Sequence, residues 1–100
     1  MRQVRHTAAA IQDLKDIYSY IAEDNHAAAA RVLARLEKRW HILVDNPRIG
    51  HKRDDLQVSL RTVAEGNYVI FYRPIANGIE LVRFLHSSRN INKIFGKHQD

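Results

Sequence analysis

Basic and aromatic side chains are concentrated in the second half of the sequence, where they can act on an anionic substrate. Cleavage of RNA through its 2′-hydroxyl needs a base, an acid and cations that stabilise the charged phosphorane. His86 with Arg61, Arg83 and a tyrosine can supply these groups. The alternative interpretation, which we favour, is that Arg83 and His86 at a strand end contact solvent or a partner. The full set comprises Lys52, Arg53, Arg61, Tyr68, Tyr72, Arg73, Arg83, His86 and Arg89.

Other catalytic templates are missing from the sequence. It has no Gly-rich phosphate loop, no His-x-x-x-His pair and no Ser/His/acid set in a recognisable context. Cysteine is absent, and the 6 histidines lack the spacing of metal ligands. We therefore expect no metal and no other cofactor.

Length and composition predict one domain over residues 1–100 and a cytoplasmic location. No signal peptide is visible, and no apolar run approaches the ~20 residues that a membrane span requires. The net charge is +5, and its excess is marked in the last third of the chain. A basic surface attracts nucleic acid, anionic membrane or acidic protein, and charge alone does not distinguish them. The residues behind this local excess are Arg73, Arg83, Arg89, Lys93 and Lys97, against Glu80 and Asp100.

The basic and aromatic side chains depend on a predicted β-hairpin. Two strands, Tyr68–Tyr72 and Ile79–Leu85, flank a segment that ends in Asn77-Gly78, a pair that readily adopts positive φ. If Asn77-Gly78 is a two-residue turn, Phe71 lies opposite Phe84 and Tyr72 opposite Arg83. If Pro74–Gly78 is a five-residue loop, Phe71 lies opposite Leu81. The sequence leaves both registers open.

Further strands extend the hairpin into a sheet. Leu56–Val63 shows the alternation of an antiparallel strand and follows a loop at Pro47–Asp55. Gln3–His6 is predicted to be an edge strand. After His86, a short helix is expected around Ile91, Ile94 and Phe95 with Ser87 or Ser88 as its cap, followed by a frayed tail at Lys97–Asp100.

Two amphipathic helices precede the sheet strands. Thr7 is the predicted cap of the first, which runs to about Asp24, and Asn25 caps the second, which ends before Asn46. The short connection makes them an antiparallel pair. In the first helix the predicted apolar stripe is Ile11, Leu14, Ile17, Tyr18 and Ile21, with Gln12, Asp13, Lys15, Asp16 and Ser19 facing outward. In the second it is Ala29, Val32, Leu33, Leu36, Trp40 and Leu43, and we expect Trp40 to be buried.

These elements predict an α+β fold with the order β-α-α-β-β-β-α. An N-terminal strand precedes an antiparallel helical hairpin, which packs on a small antiparallel β-sheet, and a short C-terminal helix follows. The helical hairpin covers one face of the sheet. Because the strand at Tyr68–Tyr72 is apolar on both faces, we expect a partner with apolar and acidic groups to lie across the sheet and the helices.

Six sequence patterns give the chain a resemblance to a known family. D-L-x-x-I-x-x-Y-I-A-E-D-N, A-A-R, N-P-x-x-G, L-R, N-Y-V-I-F-Y-R and R-F-L-H-S-S-R-N-I occur in this order from Asp13 to Ile91. Together they resemble the ParE branch of the RelE/ParE toxin superfamily. The resemblance implies the same α+β fold, the toxin half of a type II toxin-antitoxin pair, and a ParD-like antitoxin. ParE relatives act on DNA gyrase, whereas RelE relatives cut mRNA on the ribosome.

We interpret the chain as a non-enzymatic protein inhibitor of gyrase. The alternative is a ribosome-dependent mRNA endoribonuclease of the RelE type, with Arg61, Arg83 and His86 as its catalytic residues. No tyrosine follows Tyr72, so the acid–base set typical of that branch is incomplete. We expect neither membrane binding nor sequence-specific nucleic-acid binding. The predicted target-binding residues are Arg83, His86, Arg89 and Lys93, and the predicted antitoxin-binding residues are Arg61, Tyr68, Phe71, Tyr72, Arg73 and Phe84.

Overall fold

The computed structural model describes residues 2–96, and the predicted α+β fold is confirmed there. A two-residue strand, His51–Lys52, lies within the segment that was predicted to be a loop. The predicted frayed tail at Lys97–Asp100 lies outside the described residues. The elements are β1 (Gln3–His6), α1 (Ala8–Ala22), α2 (His26–Asp45), β2 (His51–Lys52), β3 (Arg61–Glu65), β4 (Tyr68–Ile75), β5 (Gly78–His86) and α3 (Ile91–Ile94).

The helix caps follow the side chains that can accept hydrogen bonds from free backbone N–H groups. Thr7 Oγ1 accepts from Ala10 N–H at 3.0 Å and Asn25 Oδ1 accepts from Ala28 N–H at 3.0 Å, which confirms both predicted caps. The predicted serine cap of α3 is wrong, since Asn90 caps that helix. Ser88 is instead used by the turn after β5, where its N–H donates to His86 Nδ1.

The sheet has the strand order β1-β5-β4-β3-β2 and is mixed, not wholly antiparallel as predicted. β1 pairs in parallel with β5, while the other neighbours are antiparallel. Gly78 permits the parallel pairing, because a Cβ atom there would lie 1.8 Å from the carbonyl oxygen of Gln3. Positive φ is adopted by Asn77, at 64°, and not by Gly78. In the Asn-Gly pair, Asn77 therefore supplies the positive φ of the turn, and Gly78 allows the close approach of β1.

The hairpin between β4 and β5 adopts neither of the predicted registers. Ile75 pairs with Gly78, so Ala76 and Asn77 form the turn. A bulge next to Tyr72 then leaves Val82 without a partner. As a result Phe71 lies opposite Arg83, and Tyr72 lies opposite Leu81.

The predicted strand at Leu56–Val63 is wrong in its first five residues, because a local hydrogen bond closes a turn there. Asp54 Oδ1 accepts from Ser59 N–H at 2.8 Å, and Ser59 has a φ of 64°. Leu56 and Leu60 are nevertheless buried, on the sheet face opposite the helices. The segment becomes extended only at Arg61, where β3 begins.

The helical pair packs on one face of the sheet. The segment between β2 and β3, together with α3, covers part of the other face. The helix-covered core includes Leu36, Leu43, Ile70 and Phe84. On the opposite face the core cluster consists of Leu56, Leu60, Phe71, Val82 and Leu85, with α3 side chains packed against it. The chain itself therefore covers part of this second face, and the expected partner stays a prediction.

The buried face of α1 is rotated relative to the predicted stripe. Ile11 and Tyr18 are 44% and 40% exposed, whereas Ala10, Asp13 and Ile17 are buried. The predicted outward orientation of Asp13 is wrong. Trp40 on α2 is half-buried and packs its ring 5.5 Å from that of Phe84. The burial predicted for Trp40 is thus only partly observed.

Candidate functional site

An ion pair joins α1 to β5 at the point where β1 no longer covers the β5 edge. Arg83 Nε donates to Asp13 Oδ2 at 2.7 Å, and Arg83 Nη2 donates to Asp13 Oδ1 at 2.9 Å. The same carboxylate accepts from Phe84 backbone N–H at 2.9 Å. Asp13 thus satisfies both a guanidinium and a backbone donor of the strand edge. We call this contact the α1–β5 junction.

The junction changes the interpretation of Arg83. Its side chain was predicted to bind the target, or to stabilise charge in the endoribonuclease alternative, but its guanidinium is engaged by Asp13. The hydrogen bonds to Asp13 raise the pKa of Arg83, and Coulomb attraction adds to this against the opposing effect of desolvation. Asp13 was missed as a partner, although its position three residues from Ala10 and four from Ile17 places it on the buried face.

The loop Asn46–Gly50, which we call the Pro47 loop, is fixed by two side chains of the sheet. Tyr72 Oη accepts from Gly50 N–H and donates to Pro47 C=O, both at 2.8 Å. Arg61 Nη1 donates to Arg48 C=O at 3.0 Å and to Gly50 C=O at 2.8 Å. A Cβ atom at position 50 would lie 2.6 Å from Tyr72 Oη, so glycine is required there. These contacts explain the glycine of the N-P-x-x-G pattern.

Burial decides which predicted antitoxin-binding residues are accessible. Phe71 and Tyr72 are 0% exposed and Phe84 is 2% exposed, so a partner cannot reach these side chains in this conformation. Burial raises the pKa of the Tyr72 hydroxyl, while the Gly50 hydrogen bond and Arg61 lower it by less. Tyr68 and Arg73 are half-buried. Arg73 Nη2 lies 2.7 Å from Glu80 Oε1, so its charge is also paired.

A groove of about 510 Å³ lies between α1 and the end of β5. The Tyr68 ring meets the His86 ring edge-on at 5.4 Å, and His86 Nδ1 lies 2.9 Å from Ser88 Oγ. Burial, with a smaller contribution from Tyr20, raises the pKa of the Tyr68 hydroxyl. Arg89 lines the same groove. This C-terminal groove brings together two predicted target-binding residues, His86 and Arg89.

The three residues of the endoribonuclease alternative do not converge. Arg61 pairs with Tyr72 across β3 and β4, whereas His86 pairs with Tyr68 across β5 and β4. These pairs are four residues apart along β4, which corresponds to roughly 14 Å, and β4 itself separates the two strands. Arg83 lies between them but is bound to Asp13. Arg61, Arg83 and His86 therefore do not lie around one common point of the surface.

The predicted target-binding residues Arg89 and Lys93 lie on the surface, Arg89 in the C-terminal groove and Lys93 on α3. Both are exposed, and neither side chain has a hydrogen-bond or ion-pair partner within residues 2–96. The same part of the chain contains no group of three or more His, Asp or Glu side chains that could hold a metal ion. None of its helices is long and apolar enough to cross a membrane.

Comparison with known proteins assigns the chain first to a class. The family model described as "ParE toxin of type II toxin-antitoxin system, parDE" matches residues 4–91. The chain is therefore the toxin component of a type II toxin-antitoxin system. It belongs to the ParE toxin family, which confirms the resemblance found in the sequence.

Individual relatives agree with this assignment. Toxin ParE1 of Caulobacter vibrioides is 30% identical over 97 residues, covering 96% of this chain and 100% of that protein. Toxin ParE3 of the same organism is 30% identical over 98 residues, covering 97% and 98%. A solved structure, described as a chromosomal ParDE system from P. aeruginosa, has a TM-score of 0.71 at 20% identity and covers 86% of this chain and 96% of that one. This likeness supports the fold.

Proposed function

We propose that this toxin inhibits DNA gyrase by binding to it, without catalysing a reaction, and that a ParD-like antitoxin neutralises it. We further propose that it acts in the cytoplasm as one domain. The observation that carries the non-enzymatic part is the separation of Arg61 from His86, together with the engagement of Arg83 by Asp13. General acid–base catalysis needs these groups around one reacting phosphate.

The proposed gyrase-binding surface is the C-terminal groove with the exposed cations beside it. Arg89 and Lys93 carry charges that nothing in the described part of the chain neutralises. Charges of this kind steer association and are available to acidic groups of a protein target. Arg83 and His86 contribute less directly, since Arg83 is paired and His86 packs against Tyr68.

The test compares charge reversal with loss of the titratable imidazole. Arg89→Glu combined with Lys93→Glu should weaken gyrase inhibition at least about tenfold, because two attractive contacts become repulsive. His86→Gln should leave inhibition within about twofold, because binding requires no proton transfer. Supercoiling assays and counts of trapped cleavage complexes measure both variants.

The matched control places the same charge change on α2. Arg31→Glu with Lys38→Glu also reverses one arginine and one lysine, both exposed and remote in sequence from the groove. This control should inhibit gyrase like the wild type. Cleavage of mRNA within ribosome-bound codons, together with loss of killing in His86→Gln, would instead identify the endoribonuclease alternative.

A further inference from the structure

A basic cleft lies at the other end of the sheet, beside the Pro47 loop. It has a volume of about 390 Å³ and is lined by Arg48, Lys52 and Arg61, with Asp54 as its acidic member. A second cavity of about 560 Å³ includes Ile49 and Ile75. The two cavities share Arg48 and Pro74, so they form one continuous surface with a charged and an apolar part.

The charged side chains in and beside this cleft differ in whether they have partners within the chain. Arg53 is bound to Asp55 through two hydrogen bonds of 3.0 Å, and Asp54 accepts from Ser59 N–H. The exposed side chains of Arg48 and Lys52 have no partner within the described residues. The cleft therefore presents two exposed cations without partners in the described part of the chain. The charge of Arg61, which donates only to backbone carbonyl groups there, adds to them.

The apolar part of the surface is held in place before any partner arrives. Ile49 is 55% exposed although it lies between Arg48 and Gly50, whose backbones are fixed by Tyr72 and Arg61. A loop that is already ordered loses little conformational entropy on binding, which favours affinity. Tyr72 and Arg61, predicted as direct contacts of the antitoxin, thus act as positioning residues for Arg48 and Ile49.

We infer that an acidic peptide segment with apolar side chains docks on this surface, its carboxylates at Arg48 and Lys52 and an apolar side chain at Ile49. The inference rests on the proposed function, because the ParD-like antitoxin is the partner that supplies the segment. Charge complementarity selects an acidic occupant, and the neighbouring Ile49, Pro74 and Ile75 select an apolar one.

The composition of the surface favours a peptide over a nucleic acid. Single-stranded nucleic acids are bound by aromatic side chains on which bases stack, together with cations along the backbone. No aromatic residue lines either of the two cavities. The carboxylate of Asp54 also lines the basic cleft and repels a phosphate backbone.

The inferred site and the proposed gyrase surface lie at opposite ends of the sheet. Lys52 pairs with Arg61, which pairs with Tyr72, whereas His86 of the C-terminal groove pairs with Tyr68. The residues that would bind the antitoxin segment near Arg48 are therefore different from those that would bind gyrase near Arg89. This separation allows the two binding events to be tested by different variants.

The main experiment measures antitoxin affinity by titration calorimetry with purified proteins. The antitoxin encoded beside this chain is the probe. Arg48→Glu combined with Lys52→Glu should weaken binding at least about tenfold, and wild-type affinity should fall as salt is added. Arg31→Glu with Lys38→Glu, which makes the same charge change on α2, should alter affinity by about twofold or less. Equal affinities of the two double variants would overturn the inference.

A second pair of variants tests the apolar part. Ile49→Ser should weaken binding about tenfold, while Ile11→Ser, at a position of similar exposure on α1, should leave it unchanged. Unchanged affinity in Ile49→Ser would overturn the assignment of Ile49 as an anchor. Binding of a mixed-sequence single-stranded RNA that is lost in the Arg48→Glu, Lys52→Glu variant, with antitoxin affinity retained, would show that the cleft serves nucleic acid and would also overturn it.

Gyrase inhibition by the same preparations separates this inference from the proposed function. If the wild type fails to inhibit gyrase, the proposed target is wrong, but the affinity comparison still decides the docking surface. If the wild type does not bind the antitoxin at all, both the antitoxin part of the proposal and the docking inference fail.

Discussion

The two ends of the sheet use arginine in different ways. At the α1–β5 junction, Arg83 is bound by Asp13, and the charges neutralise each other within the chain. At the Pro47 loop, Arg61 donates to backbone carbonyl groups, which satisfies hydrogen bonds but leaves its positive charge unpaired. Arg48 and Lys52 beside it are also unpaired within the described residues.

This difference shows that a basic residue type does not by itself indicate a binding surface. Both arginines were predicted as functional contacts, yet both are needed to hold the chain together. An internal ion pair that is largely removed from water is costly to break, because one charge then stays buried without a partner. An exposed cation contributes little to stability and is available to another molecule.

The largest expected effect is at the α1–β5 junction. Asp13→Asn keeps the size of the side chain but removes the charge that pairs with Arg83, so it should lower the free energy of unfolding by about 2–3 kcal/mol. This expected loss of stability is smaller than for a fully buried pair because the Arg83 side chain is 25% exposed. Denaturant unfolding measures the change.

Asp16, a second aspartate on the same helix, provides the matched control. Asp16 is exposed and accepts a hydrogen bond only from Gln12 in the described part of the chain. Asp16→Asn should change the free energy of unfolding by no more than about 0.5 kcal/mol. Equal destabilisation by the two variants would contradict the role assigned to Asp13.

A smaller effect is expected at the Pro47 loop. Tyr72→Phe keeps the buried ring but leaves Gly50 N–H and Pro47 C=O without their partner, at a cost of about 1–2 kcal/mol. Tyr20→Phe, at a residue that is 76% exposed, is the control and should have almost no effect. A Tyr72→Phe variant as stable as the control would mean that the hydroxyl does not hold the loop.

The same hydroxyl predicts a pH dependence. Because the pKa of Tyr72 is raised in the folded state, the unfolded chain loses this proton first as pH rises. The stabilisation is fully present below the unfolded pKa of about 10 and is lost as pH rises from there through the raised pKa of the folded state. The difference in stability between wild type and Tyr72→Phe should therefore narrow in alkaline solution, and tyrosinate absorbance should lose a late-titrating step in the variant.

The smallest effect is expected from Arg61→Lys. A lysine keeps the charge but lacks the planar fork that reaches two carbonyl groups, so the loss should be about 0.5–1 kcal/mol. Amide exchange at Gly50 should become faster in the variant, whereas Arg31→Lys on α2 should leave it unchanged. Unaltered exchange in Arg61→Lys would show that Tyr72 alone fixes the loop.

Much of the fold could be predicted because it depends on neighbours in the sequence. Thr7 and Asn25 cap helices by reaching N–H groups three residues ahead, and the apolar spacing of α2 places Leu36 and Leu43 in the core. The predicted register of the hairpin was wrong because β1, which is distant in sequence, requires a glycine at position 78 within β5. Turn chemistry alone could not reveal that demand.

The sequence by itself determined the three helices, the caps of α1 and α2, the hairpin strands and the family. Only the tertiary structure decided which side chains are used internally, since Arg83 meets an aspartate 70 residues away and Tyr72 meets a glycine 22 residues away. Such pairings depend on the bulge in β5 and on the rotation of α1, neither of which follows from local propensity. For this reason Arg61 and Arg83 make contacts within the chain, whereas Arg48 and Arg89, residues of the same type, are exposed and accessible to a partner.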